Sequence, residues 1–429
     1  MLATLRRRDF ALLWSAGLIS LTGDWLLLIA LPIYVYTLTR SAAVTSTVFL
    51  AEFVPPVLLG SVAGVFVDRW DRRRTMVIAS LLQALVLLPL LAVHAPDRLW
   101  IVYVVSAAES VLAQFFAPAE QALLPRLVGA EHLVAANALA ALNNNVARLV
   151  GAPLGGLVAG LLGLNGTVLL DATSFLLVGL LIGAITAVTR ALEQATTAMA
   201  VVTTAVWVTV WRDWLAGLRV VRRSATVSTL FVLMAAQSVA QGLFVVLFVV
   251  FVSRVLHGGA AEMGWLRGVQ AIGGLLGSVA VGAVGRRLPV ARLIGLGAIL
   301  FGLIDLAIWN APTVAPAYAL AVAIALFALV GLPGSGYLTG MTTLLQESVA
   351  DAYRGRVFGA YATTSALAQL GGMALAGALG DRLGVLPLLN VQASVYLVVG
   401  VLALVLLRGA TTGAPSAHEA SEYEEEEGA

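Results

Sequence analysis

The chain has 429 residues, 60% of them hydrophobic and 11% charged, with a mean hydropathy of +0.96 and a formal net charge of +2. An ordinary soluble domain, with about a quarter of its residues charged, is excluded. A disulfide framework and a thiolate metal site are excluded too, because there is no cysteine. All 25 basic residues are arginine and 23 acids nearly balance them, so there is no signal for nucleic-acid binding.

Arg6-Arg7-Arg8 leads into an apolar run that continues to about Tyr36 without a small-residue cleavage site, which predicts a retained first helix and not a signal peptide. A bilayer span needs about 20 apolar residues. Stretches of that length recur at 10–38, 42–67, 74–94, 98–124, 133–163 and 167–189, then at 226–252, 261–284, 290–310, 314–346, 355–380 and 384–407. Twelve helical spans in two sets of six make this an all-α membrane protein.

The two sets echo one another. Leu58-Leu-Gly-Ser-Val-Ala63 recurs 217 residues later as Leu275-Leu-Gly-Ser-Val-Ala280, and Leu123-Leu124 is answered 221 residues later by Leu344-Leu345. Near-equal offsets at equivalent places imply duplication, and parallel repeats put a binding site at mid-depth between two bundles. The expected boundaries are a six-helix bundle over 1–190, a cytoplasmic linker over 191–225, a second bundle over 226–408 and an acidic, disordered tail over 409–429. In the linker Trp211, Trp214, Leu215, Leu218 and Val221 fall at helical spacing with arginines mostly off the stripe, which predicts a helix lying in the membrane interface. The apolar run 199–210 before it is too short to span.

Arginine placement sets the topology. With the N-terminus inside, 19 arginines fall on cytoplasmic loops and five (Arg40, Arg98, Arg254, Arg267, Arg382) outside, with Arg148 left within a span. By the positive-inside rule both termini face the cytoplasm. The densest knot is Gly64-Val-Phe-Val-Asp68-Arg69-Trp-Asp71-Arg72-Arg73-Arg74, between the second and third spans.

Asp24, Glu52, Glu109 and Arg148 lie near the centre of their spans, where each charge costs at least about 2.5–3.5 kcal/mol, so they should face a cavity or each other. Arg148 shares a helix face with Asn144, Gly151 and Gly155. An acid near an arginine is held ionised, whereas one left unpaired can exchange a proton near neutral pH. Three acids competing for one arginine predict that at least one carries a coupling proton. Asp171 is expected in the first turn of the sixth span, as a dipole partner. In the second half Gln237, Gln241, Phe244 and Phe248 share a face that suits either a cavity wall or helix packing, and Asp305 is a further deep acid. A gate is expected at Gly331-Leu-Pro333-Gly334-Ser-Gly336-Tyr337.

The loop from Gly64 through Asp68, Arg69, Arg72, Arg73 and Arg74 resembles the loop 2–3 signature of the major facilitator superfamily, whose layout the two six-helix halves match. Asp71 stands where that family usually has a second glycine. Leu124-Pro125, Ala136-Asn137-Ala138-Leu139, Gly151-Ala-Pro153-Leu-Gly155-Gly156 and the run from Leu345 to Val357 are similar to the branch of macrolide, tetracycline and enterobactin exporters. Gly151, Pro153 and Gly155 correspond to the glycine-proline motif of the superfamily's antiporters, with Ala152 intervening. The resemblance implies a monomeric carrier in the cytoplasmic membrane that exchanges protons for an amphipathic small molecule or drug by alternating access. In it Gly64, Asp68, Arg69, Arg72 and Arg73 would form a conformational switch, with Asp68 docking on the start of the eleventh helix. A carrier for one metabolite or siderophore is the alternative, and a receptor or membrane enzyme a distant one. The only histidines are His94, His132, His257 and His418, and no catalytic triad, metal cluster or phosphate loop is recognisable, so no enzyme, metal or cofactor is expected.

Overall fold

The computed structural model describes residues 2–67, 70–186, 203–285 and 288–408. After a single turn at Leu2–Leu5 come α1 (Arg8–Thr39), α2 (Ala42–Val67), α3 (Arg72–Leu87), α4 (Leu99–Val128) and α5 (Leu133–Gly183). They are followed by α6 (Thr203–Arg223), α7 (Ala225–Val250), α8 (Ala260–Val284), α9 (Val290–Val314), α10 (Ala319–Glu347), α11 (Asp351–Leu383) and α12 (Val385–Leu406). Helix is the form expected of apolar segments this long, since each must satisfy its backbone hydrogen bonds internally when water is absent.

Ten of these helices are long and apolar enough to cross a membrane. One is the 51-residue α5, which holds two spans: Gly163, at φ 66 and ψ −169, breaks it where the sequence predicts a loop. Only glycine takes that backbone conformation cheaply. Counting both limbs and adding the 33-residue α11 gives twelve crossings among the described residues, six from each half of the sequence. The run 331–337, where a gate is expected, lies inside the continuous helix α10, with Pro333 in its interior.

Two compact units emerge from the chain's internal contacts. The first is Met1–Trp207 together with Val246–Ala271 and Ala376–Arg382; the second is Val208–Val245, Ile272–Leu375 and Leu383–Ala429. The division therefore does not follow the linker alone, because one end of each of α7, α8 and α11 belongs to the first unit. Within that unit Phe10, Leu13, Met76, Leu123 and Val178 form one buried cluster, and Leu27, Val35, Leu87, Val102, Val168 and Phe175 another.

In the second unit Leu230, Met234, Ile294, Met341, Leu344 and Val399 form the core, and α6 packs onto it through Trp214, Leu218 and Val221. The Trp214 indole N–H donates to Thr364 Oγ1 at 3.2 Å. The stripe expected to lie in lipid is thus divided, with Trp211 and Leu215 exposed and the rest against protein. The tail beyond residue 408 and the stretch 187–202 lie outside the described residues.

The loop knot has a local logic of its own. Asp71, where the resemblance has glycine, is the N-cap of α3 and accepts the Arg74 backbone N–H at 2.7 Å. An Asp cap typically contributes about 1 kcal/mol. Asp71→Ala is therefore expected to lower thermal stability by about that amount while Asp71→Ser leaves it nearly unchanged, as scanning fluorimetry of the detergent-solubilised protein would read.

Candidate functional site

Helical periodicity brings four carboxyl groups together in the first unit. Asp24, Leu27, Leu28 and Leu31 recur on one face of α1, Val48, Glu52 and Pro56 on one face of α2, and Ser106, Glu109, Ser110 and Ala113 on one face of α4. These faces, with Asp171 from the second limb of α5 and with Pro32 and Phe53, line a single cavity of about 220 Å³. No basic residue is among its lining.

The acids are tied by neutral donors. Gln83 on α3 donates its side-chain amide to Glu109 Oε1 at 3.3 Å. The Ser174 hydroxyl donates to Asp171 Oδ1 at 3.2 Å, and the Ser110 hydroxyl donates to the backbone carbonyl of Glu52 at 2.6 Å. Asp24 is within Coulombic reach of Glu109, Asp171 and Glu52. Like charges this close cannot all be ionised without strong mutual repulsion, so the cavity can hold protons in common. Among the described residues no group of three or more His, Asp or Glu is arranged to hold a metal ion.

Asp171 departs from its expected place. Because α5 has no loop at 164–166, Asp171 is not a first-turn residue but sits about two turns into the second limb, 1% exposed and inside the cavity. Gly23 makes room for it: a Cβ there would stand 2.3 Å from Asp171 Oδ1 and 2.5 Å from Ser174 Oγ.

Arg148 also departs from expectation. It is exposed and absent from the cavity lining, and Arg267 on α8 lies within its Coulombic reach. Arg267, assigned to the outer loops by sequence, lies within α8, with its guanidinium 4.9 Å from the Phe248 ring centroid and donating to Gln270 Oε1 at 3.3 Å. Asn144 is exposed and bonds only its own helix, at the Ala140 carbonyl. The wheel that groups Asn144, Arg148, Gly151 and Gly155 is correct in angle, yet the two glycines are buried and the two polar residues are not.

Asp305 is no wall of an open cavity. It is 3% exposed in the core of the second unit, where it accepts the Gln392 amide at 3.0 Å; Gln392 in turn accepts the Trp309 indole N–H at 3.2 Å. Gln237 donates to the Tyr396 hydroxyl at 3.4 Å, and Phe244 stands 6.1 Å from the Trp309 ring. Gln241 is half-buried on the same helix. This face of α7 therefore serves packing at Gln237 and Phe244.

The residues expected to switch conformation fall into three groups. Gly151 and Gly155 seat α5 on α1: added Cβ atoms would meet Trp25 Cβ at 2.7 Å and Leu26 Cα at 2.8 Å. Pro153 and Gly156 seat it on α8, against Gly268 and the Ala260 carbonyl. At the loop, Arg73 bonds the carbonyls of Ile182 and Gly183 at the end of α5, a cation on the negative end of a helix, and Arg72 opens α3. Gly64, expected to permit close helix approach, has open space where a Cβ would sit. Asp68 and Arg69 lie outside the described residues.

The family described as transmembrane secretion effector matches residues 1–427. Macrolide efflux protein A of Streptococcus pyogenes is 25% identical over 382 residues, 88% of this chain and 90% of that one. Multidrug efflux pump Tap of Mycolicibacterium fortuitum is 27% identical over 414 residues, 94% and 97% of the two chains. In fold, a bacterial homologue of the iron transporter ferroportin, solved in an inward-facing state, superposes with a TM-score of 0.73 over 93% of this chain and 98% of that one, at 16% identity.

Proposed function

Because the chain belongs to the transmembrane secretion effector family of MFS-type transporters, we propose that it exports amphipathic small molecules or drugs across the cytoplasmic membrane in exchange for protons, by alternating access. It is a multi-pass membrane transporter and not an enzyme. Its relatives named as efflux pumps support the direction and the substrate class. The proton coupling rests on one observation: Asp24, Glu52, Glu109 and Asp171 share a cavity whose lining contains no cation.

A charge at membrane depth is costly, and four carboxyls around one space repel each other when ionised. Taking up a proton relieves that repulsion, and opening the cavity to water on one side lets the proton leave. Neutral apolar lining from Leu27, Leu31, Val48 and Phe53 would take the hydrophobic part of a substrate. Arginine placement supports cytoplasmic termini, and Gly151, Pro153 and Gly155 support hinge-like packing of α5 during the exchange. We take the carrier to be monomeric and Gln241 to face its substrate path.

Everted membrane vesicles energised to acidify their lumen provide the test. Uptake of erythromycin or ethidium by the wild type should rise with the pH difference, and Asp24→Asn, Glu52→Gln and Glu109→Gln should flatten that dependence. Wild-type pH dependence in all three would remove the coupling site, and ATP-driven uptake insensitive to a protonophore would remove antiport altogether.

A further inference from the structure

The first unit contains a contact between chain segments about 340 residues apart that no coupling argument uses. Asp381, in the last turn of α11, accepts the Ser41 hydroxyl at 2.7 Å, the Ala42 backbone N–H at 2.8 Å and the Ala43 N–H at 3.3 Å. Ala42 and Ala43 are the first residues of α2, so the carboxylate from α11 caps the positive end of another helix. Beneath it the helices touch through small residues: a Cβ at Gly377 would stand 2.7 Å from Ser46 Cβ, and one at Gly380 would stand 2.8 Å from Ala42 Cβ. Arg254, just past α7, lies within Coulombic reach of both Tyr36 and Asp381.

The geometry points to Asp381 as a latch that holds this end of the carrier shut and must let go in each transport cycle. The body of α11 up to Leu375 belongs to the second unit, whereas Ala376–Arg382 belongs to the first. Any movement of the end of α11 against the start of α2 has to break the Asp381 cap, which anchors that end. A charged cap of a helix start is strong enough to bias the two states yet weak enough to break. Its loss corresponds to about a five-fold change in an equilibrium. By the arginine count this is the outer end of α2, the end opposite the loop knot. This inference rests on the transporter reading.

The chain has no cysteine, so single-cysteine reporters are clean. Ser46→Cys, 2% exposed beneath the latch, reports this end. Gly359→Cys, at a position with open space for a Cβ near the start of α11, reports the other. Labelling of the full-length protein in proteoliposomes with a membrane-impermeant maleimide is compared with and without Asp381→Ala. Loss of the latch should raise the labelling rate at Ser46→Cys about five-fold and lower it at Gly359→Cys. Asp381→Asn, which keeps an acceptor oxygen but not the charge, should fall between. Unchanged rates at both reporters, or rates that rise together as in general loosening, overturn the latch. A wild-type background in which an imposed pH gradient shifts neither reporter would instead count against the transporter reading.

Discussion

Gly156→Val is expected to reduce drug efflux at least ten-fold while the protein still inserts and remains folded. In the first unit the backbones of α5 and α8 are nearly in contact: a Cβ on Gly156 would lie 2.3 Å from the Ala260 carbonyl oxygen and 3.0 Å from Ala261 Cα, and one on Gly264 would lie 2.4 Å from the Ala152 carbonyl. Those neighbours are backbone atoms, so no side chain can rotate away to relieve the clash. Overpacking of this kind costs roughly 1–3 kcal/mol, enough to deny a carrier one of its two states, because each 1.4 kcal/mol moves an equilibrium ten-fold. Gly160→Val is the control, one turn along the same helix, where a Cβ meets only Ala261 Cβ at an ordinary 3.7 Å. Efflux of ethidium from cells, normalised to protein in the membrane, separates the two: the Gly160 variant should keep most of its activity. Equal activity in both variants would mean that this packing does not open and close during transport.

The second large effect concerns an acid that acts through a neighbour. Gly23→Ala should uncouple efflux from the pH gradient although it alters no ionisable group. The new methyl would fall 2.3 Å from Asp171 Oδ1 and 2.5 Å from Ser174 Oγ, so both side chains must turn aside and the Asp171–Ser174 hydrogen bond is lost. Asp171 would leave the space it shares with Asp24 and Glu109. The expected result is a pH-driven component of uptake reduced at least five-fold with substrate binding, read as thermal shift by erythromycin, within two-fold of wild type. A variant that keeps full pH dependence would show that Asp171 is a bystander to the other three acids.

The four acids differ in how legible they are in the sequence. Asp24, Glu52 and Glu109 can be singled out without coordinates because isolated acids in spans of twenty apolar residues need a polar space, and helical spacing carries all three into one cavity. Asp171 escapes that reading for a local reason. A loop at 164–166 makes it a first-turn residue, whereas Gly163 alone turns the chain and leaves Asp171 deep in the helix. Glycine before Leu-Asn-Gly is the signal that could have been followed, since one residue at positive φ suffices to break a helix.

Arg148 shows the opposite failure. Its face on α5 is identifiable, but which neighbour that face meets depends on helix packing, which leaves Arg148 outside the acid cavity and within reach of Arg267 on α8. Asp305 is visible as a deep acid, while its partner Gln392 comes from α12 and is itself held by Trp309, a turn away on Asp305's own helix. The partition of the chain was the least legible feature. A boundary at the linker follows from counting spans, yet α7, α8 and α11 each contribute one end to the first unit. Close packing of small residues such as Gly377 on Ser46 lies at one of these ends, and such contacts cannot be read from span counting.

Under the proposed antiport, protons move against substrate through the four-carboxyl cavity. Purified protein in liposomes containing a pH-sensitive dye, with no gradient imposed, should move protons in the direction opposite to erythromycin when the drug is added to one side. Asp24→Asn combined with Glu109→Gln should abolish that signal while the drug still equilibrates across the membrane. Proton movement of wild-type size in the double variant would contradict the account.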